Sequence, residues 1–221
     1  MDQFQKQQLQ EKHLQLVITE NEITNLTRID SYESARLLHL EDSLTGLPEV
    51  EVAPQGLAAD LGSGAGFPGI PIAIETERAF ILVESVGKKI NALNRMIHEL
   101  NLTESVSTYY GRIEELALEK DQAFSVVTAR ALTSLNSLIE LASPLLIQGG
   151  RLVAYKSGDY QQELKDACAI QEKVGMKHVS TRPLTLSDGI TKRSIIVFEK
   201  SGDPRVSLPR RPGMAQKRPY R

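Results

Sequence analysis

The chain has no tryptophan, only 5% aromatic residues and a single cysteine, Cys168. With so few aromatics, core packing falls to Leu, Ile, Val and Ala. One cysteine excludes an internal disulfide. No His, Cys, Asp or Glu cluster has ligand spacing, so neither a stapled secreted scaffold nor a zinc module fits, and no metal is expected. Cys168 lies in a helix-like segment and reads as a packing residue. No apolar run is long enough to span a bilayer, so no membrane partner is expected. The polar start Met1-Asp2-Gln3-Phe4-Gln5-Lys6 does not read as a signal peptide, and a cytoplasmic protein is expected. What is present, 41% hydrophobic and 24% charged residues over 221 positions, suits one soluble domain with an N-terminal extension.

Charge is unevenly spread. The net value is −2, yet Pro204 to Arg221 holds Arg205, Arg210, Arg211, Lys217, Arg218 and Arg221 with no acid. An acidic body with a basic, proline-broken tail suggests a polyanion met by the tail; a solvated tail without a partner is the bland alternative.

The first 20 residues are Gln-rich, with apolar spacing that allows a helix. Asp30 with Glu33 reads as a capping box opening a helix to about Thr45. Pro48 and Pro54 then break the chain. From Gly56 strands and helices alternate, which predicts a parallel sheet covered on both faces. Strands are expected over 56–61, 79–84, 105–109, 123–128 and 151–155. Val86, Ile90, Leu93, Ile97 and Leu100 stripe one helix; Leu135 to Leu145 mark another, closed by Gly149-Gly150. Two late strands, 178–185 and 194–199, flank a Ser187-Asp188-Gly189 turn and read as an antiparallel addition at one end of the sheet. The division expected is 1–55 helical extension, 56–203 doubly wound domain, 204–221 basic tail.

Ala59-Asp60-Leu61-Gly62-Ser63-Gly64-Ala65-Gly66-Phe67-Pro68-Gly69 carries the chemistry. A glycine-rich turn between strand and helix lets a ligand approach backbone, and the helix end offers free N–H groups. Two readings compete. Gly64-x-Gly66-x-x-Gly69, with Glu84 about 20 residues on, fits the dinucleotide fingerprint of a nicotinamide-dependent oxidoreductase. Read from Asp60, with Gly62, Gly64 and Gly66 following, the pattern is that of S-adenosylmethionine (AdoMet) methyltransferases, in which no pyrophosphate is cradled. The strand ends at Leu61, so a dinucleotide loop from Gly64 would begin late, and AdoMet is favoured.

In a doubly wound sheet, ligands bind beyond the carboxyl ends of the strands. Glu84 ends the second strand, where a carboxylate can accept both ribose hydroxyls; otherwise it is a helix cap. Ile113 and Glu114 follow the third strand, where they can flank an adenine. Arg130 follows the fourth, where it can reach a cofactor carboxylate or a substrate phosphate, or pair with an acid. His13, His39, His98 and His178 have no nucleophile partner at a motif spacing. His39 can reach the cleft rim, but a satisfied helix histidine is the simpler reading. No catalytic base is identified.

These residues resemble the bacterial small-subunit rRNA guanine-N7 methyltransferase G family (RsmG, formerly GidB). The resemblance spans nearly the whole chain: Ile23 to Thr27, His39 to Ser43, Asp60 to Pro71, Glu84-Ser85-x-x-Lys88-Lys89, Arg112-x-Glu114-Glu115, Ala129-Arg130-Ala131 and Pro209-Arg210-Arg211-x-Gly213. It implies a class I, Rossmann-like methyltransferase acting on N7 of one guanine in 16S rRNA of the small ribosomal subunit. It implies AdoMet contacts at Gly62, Phe67, Ile113, Glu114 and Arg130, with Glu84 at the ribose and Gly64 beside the cofactor. Lys156, Arg210, Arg211, Lys217 and Arg218 fall on the RNA side. Two departures lie there too: Ser157 separates Lys156 from Gly158, and Leu208 stands where the family has Tyr. A monomer is expected. The rival outside enzymes is a ribosome-assembly factor that binds AdoMet or rRNA without turnover.

Overall fold

The computed structural model describes residues 1–29 and 31–220; Asp30, and with it the Asp30/Glu33 capping box, lies outside the described residues, as does Arg221. Seven strands form one sheet: β1 (Ala58–Leu61), β2 (Phe80–Glu84), β3 (Val106–Tyr110), β4 (Phe124–Arg130), β5 (Leu146–Ser157), β6 (Met176–Thr185) and β7 (Lys192–Lys200), in the order β3-β2-β1-β4-β5-β7-β6. Strands β1 to β5 pair in parallel, while β7 runs antiparallel to both β5 and β6. The late antiparallel addition is where the sequence puts it. Every residue of β1 and β2 is buried, which a strand covered on both faces requires.

Side chains alternate between two cores, as the period of two along a strand dictates. Ala58, Phe80, Leu82 and Val126 face one; Ala59, Leu61, Ile81, Val83 and Val127 face the other. Helices α5 (Gly69–Thr76) and α6 (Gly87–Glu99) cover the first face, joined by α1 (Gln3–Thr24), which buries Leu14 and Val17 there. Helices α7 (Ile113–Glu119), α8 (Leu135–Ala142) and α9 (Gln161–Ile170) cover the second. The N-terminal segment therefore shares the core of the sheet. Strand order reverses between β1 and β4, and the crevice at such a switch point is where ligands bind.

Three local expectations change. The helix expected to reach Thr45 is α2 (Tyr32–Ala35), N-capped by Ser31, then a π-helical stretch Arg36–Glu41, then α3 (Asp42–Leu44). A π stretch inside a helix is rare and is frequently found at functional sites. Pro48 does not break the chain but sits in the first turn of α4 (Leu47–Glu51), where its missing N–H has no helical partner to lose. Gly149 and Gly150 do not close a helix; they lie inside β5, where its pairing with β4 shifts register between Phe124 and Val126.

After β7 the tail folds back on the body. Ala215, in the one-turn helix α10 (Met214–Lys217), is buried in the second core.

Candidate active site

The glycine loop spends most of its N–H groups on the protein. Gly62 and Ser63 N–H donate to Val83 O, Gly66 and Phe67 N–H to Ser63 O, and Gly64 N–H to Glu84 Oε2. At the start of α5, Gly69 N–H donates to Asp60 Oδ2 at 3.3 Å. The position that cradles pyrophosphate in a dinucleotide fold is thus held by the chain's own carboxylate. Asp60 is fully buried, accepts from Thr128 Oγ1 at 2.7 Å, and burial pushes its carboxyl up to about 6. A side chain at Gly69 would strike Leu82 and Asp60, so its glycine is needed for packing rather than for a ligand.

Two cavities open at the switch point. The first, about 260 Å³, is lined by Gly62, Glu84, Lys89, Ile113, Glu114, Leu132 and Gln216 among others. Gly62 has φ +71°, and a Cβ there would come within 2.7 Å of Leu132. Glu84, at the end of β2, is buried. Its Oε1 accepts from Ser85 and Val86 N–H and its Oε2 from Gly64 N–H. Those donors fill three of roughly four acceptor sites. One ribose hydroxyl can meet Oε2; a second must displace an N–H, which narrows the bidentate expectation. Ile113 and Glu114 open α7 beside this cavity. The Glu114 carboxylate, however, accepts from Gly213 N–H of the tail at 2.6 Å.

The second cavity, about 400 Å³, lies over the ends of β4, β5 and β7. It is lined by Leu38, His39 and Asp42 from the π-helical stretch and α3, and by Arg130, Ala131, Tyr155, Lys156, Glu163 and Arg193. Arg130 Nη1 donates to Leu38 O at 2.9 Å and to Asp42 Oδ2 at 3.1 Å, and its Nη2 donates to His39 Nδ1 at 3.2 Å. Arg193 Nε donates to the other oxygen of Asp42. His39 Nε2–H then donates to Thr27 Oγ1. This fixes a neutral tautomer, and burial with the Arg130 charge pushes the imidazole down to about 3. His39 stacks on Phe67, whose other neighbour is His13.

Two expected contacts are therefore placed differently. The Phe67 side chain lines neither cavity; it is buried between two histidines, with the Arg130 guanidinium 5.6 Å from its ring centre. Arg130 lines the second cavity rather than the first, paired with an acid. Lys156 Nζ is tied to Thr133 O and Glu163 Oε2.

In the tail, Arg210 forms a two-pronged ion pair with Glu140, both contacts 2.6 Å, and stacks on Tyr220. Glu140 is buried in α8, so Arg210 anchors the tail instead of facing a partner. Arg211, Lys217 and Arg218 are exposed.

The two cavities share Ala131, a non-glycine residue at φ +52°. Strain of this kind collects where structure serves a site.

A family model described as rRNA small subunit methyltransferase G (GidB) matches residues 5–191. Curated relatives carry the same description. One from Lachnoclostridium phytofermentans is 35% identical over 212 residues, covering 95% of this chain and 87% of its own. Another, from Carboxydothermus hydrogenoformans, is 34% identical over 218 residues, covering 97% and 92%. The chain belongs to the rRNA small subunit methyltransferase G family. That membership removes the oxidoreductase reading, in agreement with Gly69 N–H being held by the Asp60 carboxylate. Solved structures give the fold. A geranyl diphosphate methyltransferase in complex with SAM aligns at TM-score 0.56 and 14% identity over 72% of this chain and 84% of its own. TYW2 of P. horikoshii in complex with MeSAdo aligns at TM-score 0.58 and 12% identity over 74% and 63%.

Sequence reasoning about this family member missed Gln216, Leu132, Glu163 and Arg193. Gln216 comes from the tail folded over the cavity and carries no local signal, while Leu132 directly follows the Ala129-Arg130-Ala131 motif. Asp42 sits in the His39–Ser43 motif, which is the one clue that the N-terminal segment reaches the site. Among the described residues no helix is long and apolar enough to cross a membrane.

Proposed function

We propose that this chain transfers the methyl group of AdoMet to N7 of one guanine in 16S rRNA of the small ribosomal subunit. One observation carries the reading: a glycine-lined cavity at β1 and β2 and a polar cleft at β4 and β5 meet at Ala131. A donor in one and an acceptor in the other would be brought together across that residue.

The first cavity fits the donor. Gly62 leaves backbone bare, Glu84 offers an oriented carboxylate to a ribose hydroxyl, and Ile113 supplies an apolar edge for adenine. Gly64 holds the Glu84 carboxylate in place. AdoMet, when bound, supplies an electrophilic methyl on a sulfonium. Guanine N7 carries a lone pair and no proton. One N–C bond forms, one S–C bond breaks with its electron pair left on sulfur, and the positive charge passes to the purine. No base is required, which suits a cleft whose histidine is neutral and committed. Positioning then supplies much of the rate. The purine must leave its stack to enter the cleft.

Arg211, Lys217 and Arg218 are suited to rRNA phosphates, and would hold the RNA in register while the cleft reads the base. The enzyme works as a monomer in the cytoplasm, where its substrate is made.

The test is transfer of labelled methyl from AdoMet to small subunits lacking this modification, beside calorimetry with S-adenosylhomocysteine and NADH. The expected result is label in 16S rRNA and binding of the nucleoside thioether only. Binding without label on either subunits or free rRNA would replace the enzyme with a binding protein.

A further inference from the structure

The acceptor cleft holds two carboxylates, and they are unequally committed. Asp42 is buried and gives one oxygen to Arg130 and the other to Arg193. Glu163, on α9, is different. Its Oε2 accepts from Lys156 Nζ at 2.6 Å and from Leu135 N–H at 3.0 Å, while Oε1 has no partner among the described residues. The Glu163 side chain is 39% exposed and that of Lys156 13%. Lys156 Nζ spends two of its three donors, on Glu163 and on Thr133 O, and keeps one. The cleft wall therefore presents a spare donor beside a spare acceptor.

Guanine's Watson–Crick edge presents an acceptor, O6, beside two donors, N1–H and the 2-amino group. Adenine presents a donor beside an acceptor, the reverse order. N7 lies on the neighbouring Hoogsteen, major-groove edge beside O6, and its lone pair points away from the N1–H and 2-amino groups. A guanine whose Watson–Crick edge meets the Lys156–Glu163 pair turns N7 away from that wall.

Resting on the methyltransferase reading above, we propose that the Lys156–Glu163 ion pair selects guanine in the acceptor cleft, Glu163 Oε1 accepting from N1–H and the 2-amino group and Lys156 donating to O6. The pair also acts on the transition state. As positive charge passes to the purine its N1–H becomes a stronger donor, so the contact to a carboxylate tightens as the reaction proceeds. His39, stacked on Phe67, adds a π surface to the same cleft.

Small subunits rebuilt with inosine at the labelled position test this, because inosine lacks only the 2-amino group. With the wild-type enzyme, inosine should slow methyl transfer by about 10-fold to 100-fold, the range for losing a hydrogen bond to a charged acceptor. Glu163→Ala should slow transfer to guanine by a similar factor and bring the guanine and inosine rates together. Its S-adenosylhomocysteine affinity should match the wild type, showing that the variant is folded and the cofactor cavity intact. Equal wild-type rates on guanine and inosine, or an undiminished inosine penalty in Glu163→Ala, overturns the assignment while leaving the methyltransferase reading in place. Absence of transfer by the wild type to any guanine overturns that reading, and the assignment with it.

Discussion

Arg210 gives two guanidinium nitrogens to the buried Glu140 carboxylate, while Arg211 beside it faces solvent. Removing one partner of a buried pair leaves an uncompensated charge and costs about 3–5 kcal/mol. Arg210→Ala should therefore lower the urea midpoint sharply. Arg211→Ala should shift stability by less than about 0.5 kcal/mol. It should instead weaken RNA binding and reduce the salt slope by about one ion. Equal stability losses in the two variants would contradict this division. At the cofactor cavity, Glu84→Gln should lower S-adenosylhomocysteine affinity by about 10-fold or more in calorimetry, since a charged acceptor is lost; unchanged affinity would remove Glu84 from the ribose role. Gly62→Val is a poorer probe, because positive φ and contact with Leu132 add strain whether or not a ligand binds. Little of this residue-level detail was legible in the sequence. Arg210 and Arg211 look alike there, because Glu140 is 70 positions away.

At the scale of elements, the strands and most helices follow from the sequence, since buried parallel strands are short apolar runs and α6 carries a clean apolar stripe. What escaped were features that local propensity does not encode: the π-helical stretch, the use of Pro48 to open α4, and the glycines inside β5. The docking of α1 has a consequence of its own. Its His13 is fully buried, donates Nε2–H to Ala65 O, and has no partner for Nδ1 among the described residues; burial pushes it down to about 4. Unfolded histidines protonate near 6.5, so between that pH and about 4 the unfolded chain binds protons that folded His13 and His39 refuse. Their contribution is present above pH 6.5 and is lost as pH falls, by up to about 1.4 kcal/mol per unit for each. Asp60 opposes them. Raised to about 6 when folded, it favours the native state on acidification and loses that contribution as pH rises through 6. Two histidines against one aspartate leave a net loss from pH 7 to 5. His13→Leu should flatten that loss in urea titrations at the two pH values; an unchanged pH dependence would mean that His13 is not buried neutral.

On the scale of the whole molecule, the proposed function draws on two cavities, built from distant parts of the chain, that meet at Ala131. The glycine loop, Glu84 and the strand order point to the donor cavity in sequence alone. The second cleft was legible only in part: His39, Arg130 and Lys156 line it, but Glu163 on α9 and Arg193 at the start of β7 carry no motif that brings them there. Its polar lining joins the first cavity at Ala131, whose φ of +52° lies in the left-handed region. The most direct measurement is to map the labelled nucleotide, cleaving rRNA from treated subunits at 7-methylguanine and reading the ends by primer extension. A single new stop at one guanine of 16S rRNA, dependent on AdoMet, is the predicted result. Label that resists this cleavage, or that spreads over many positions, would contradict the account.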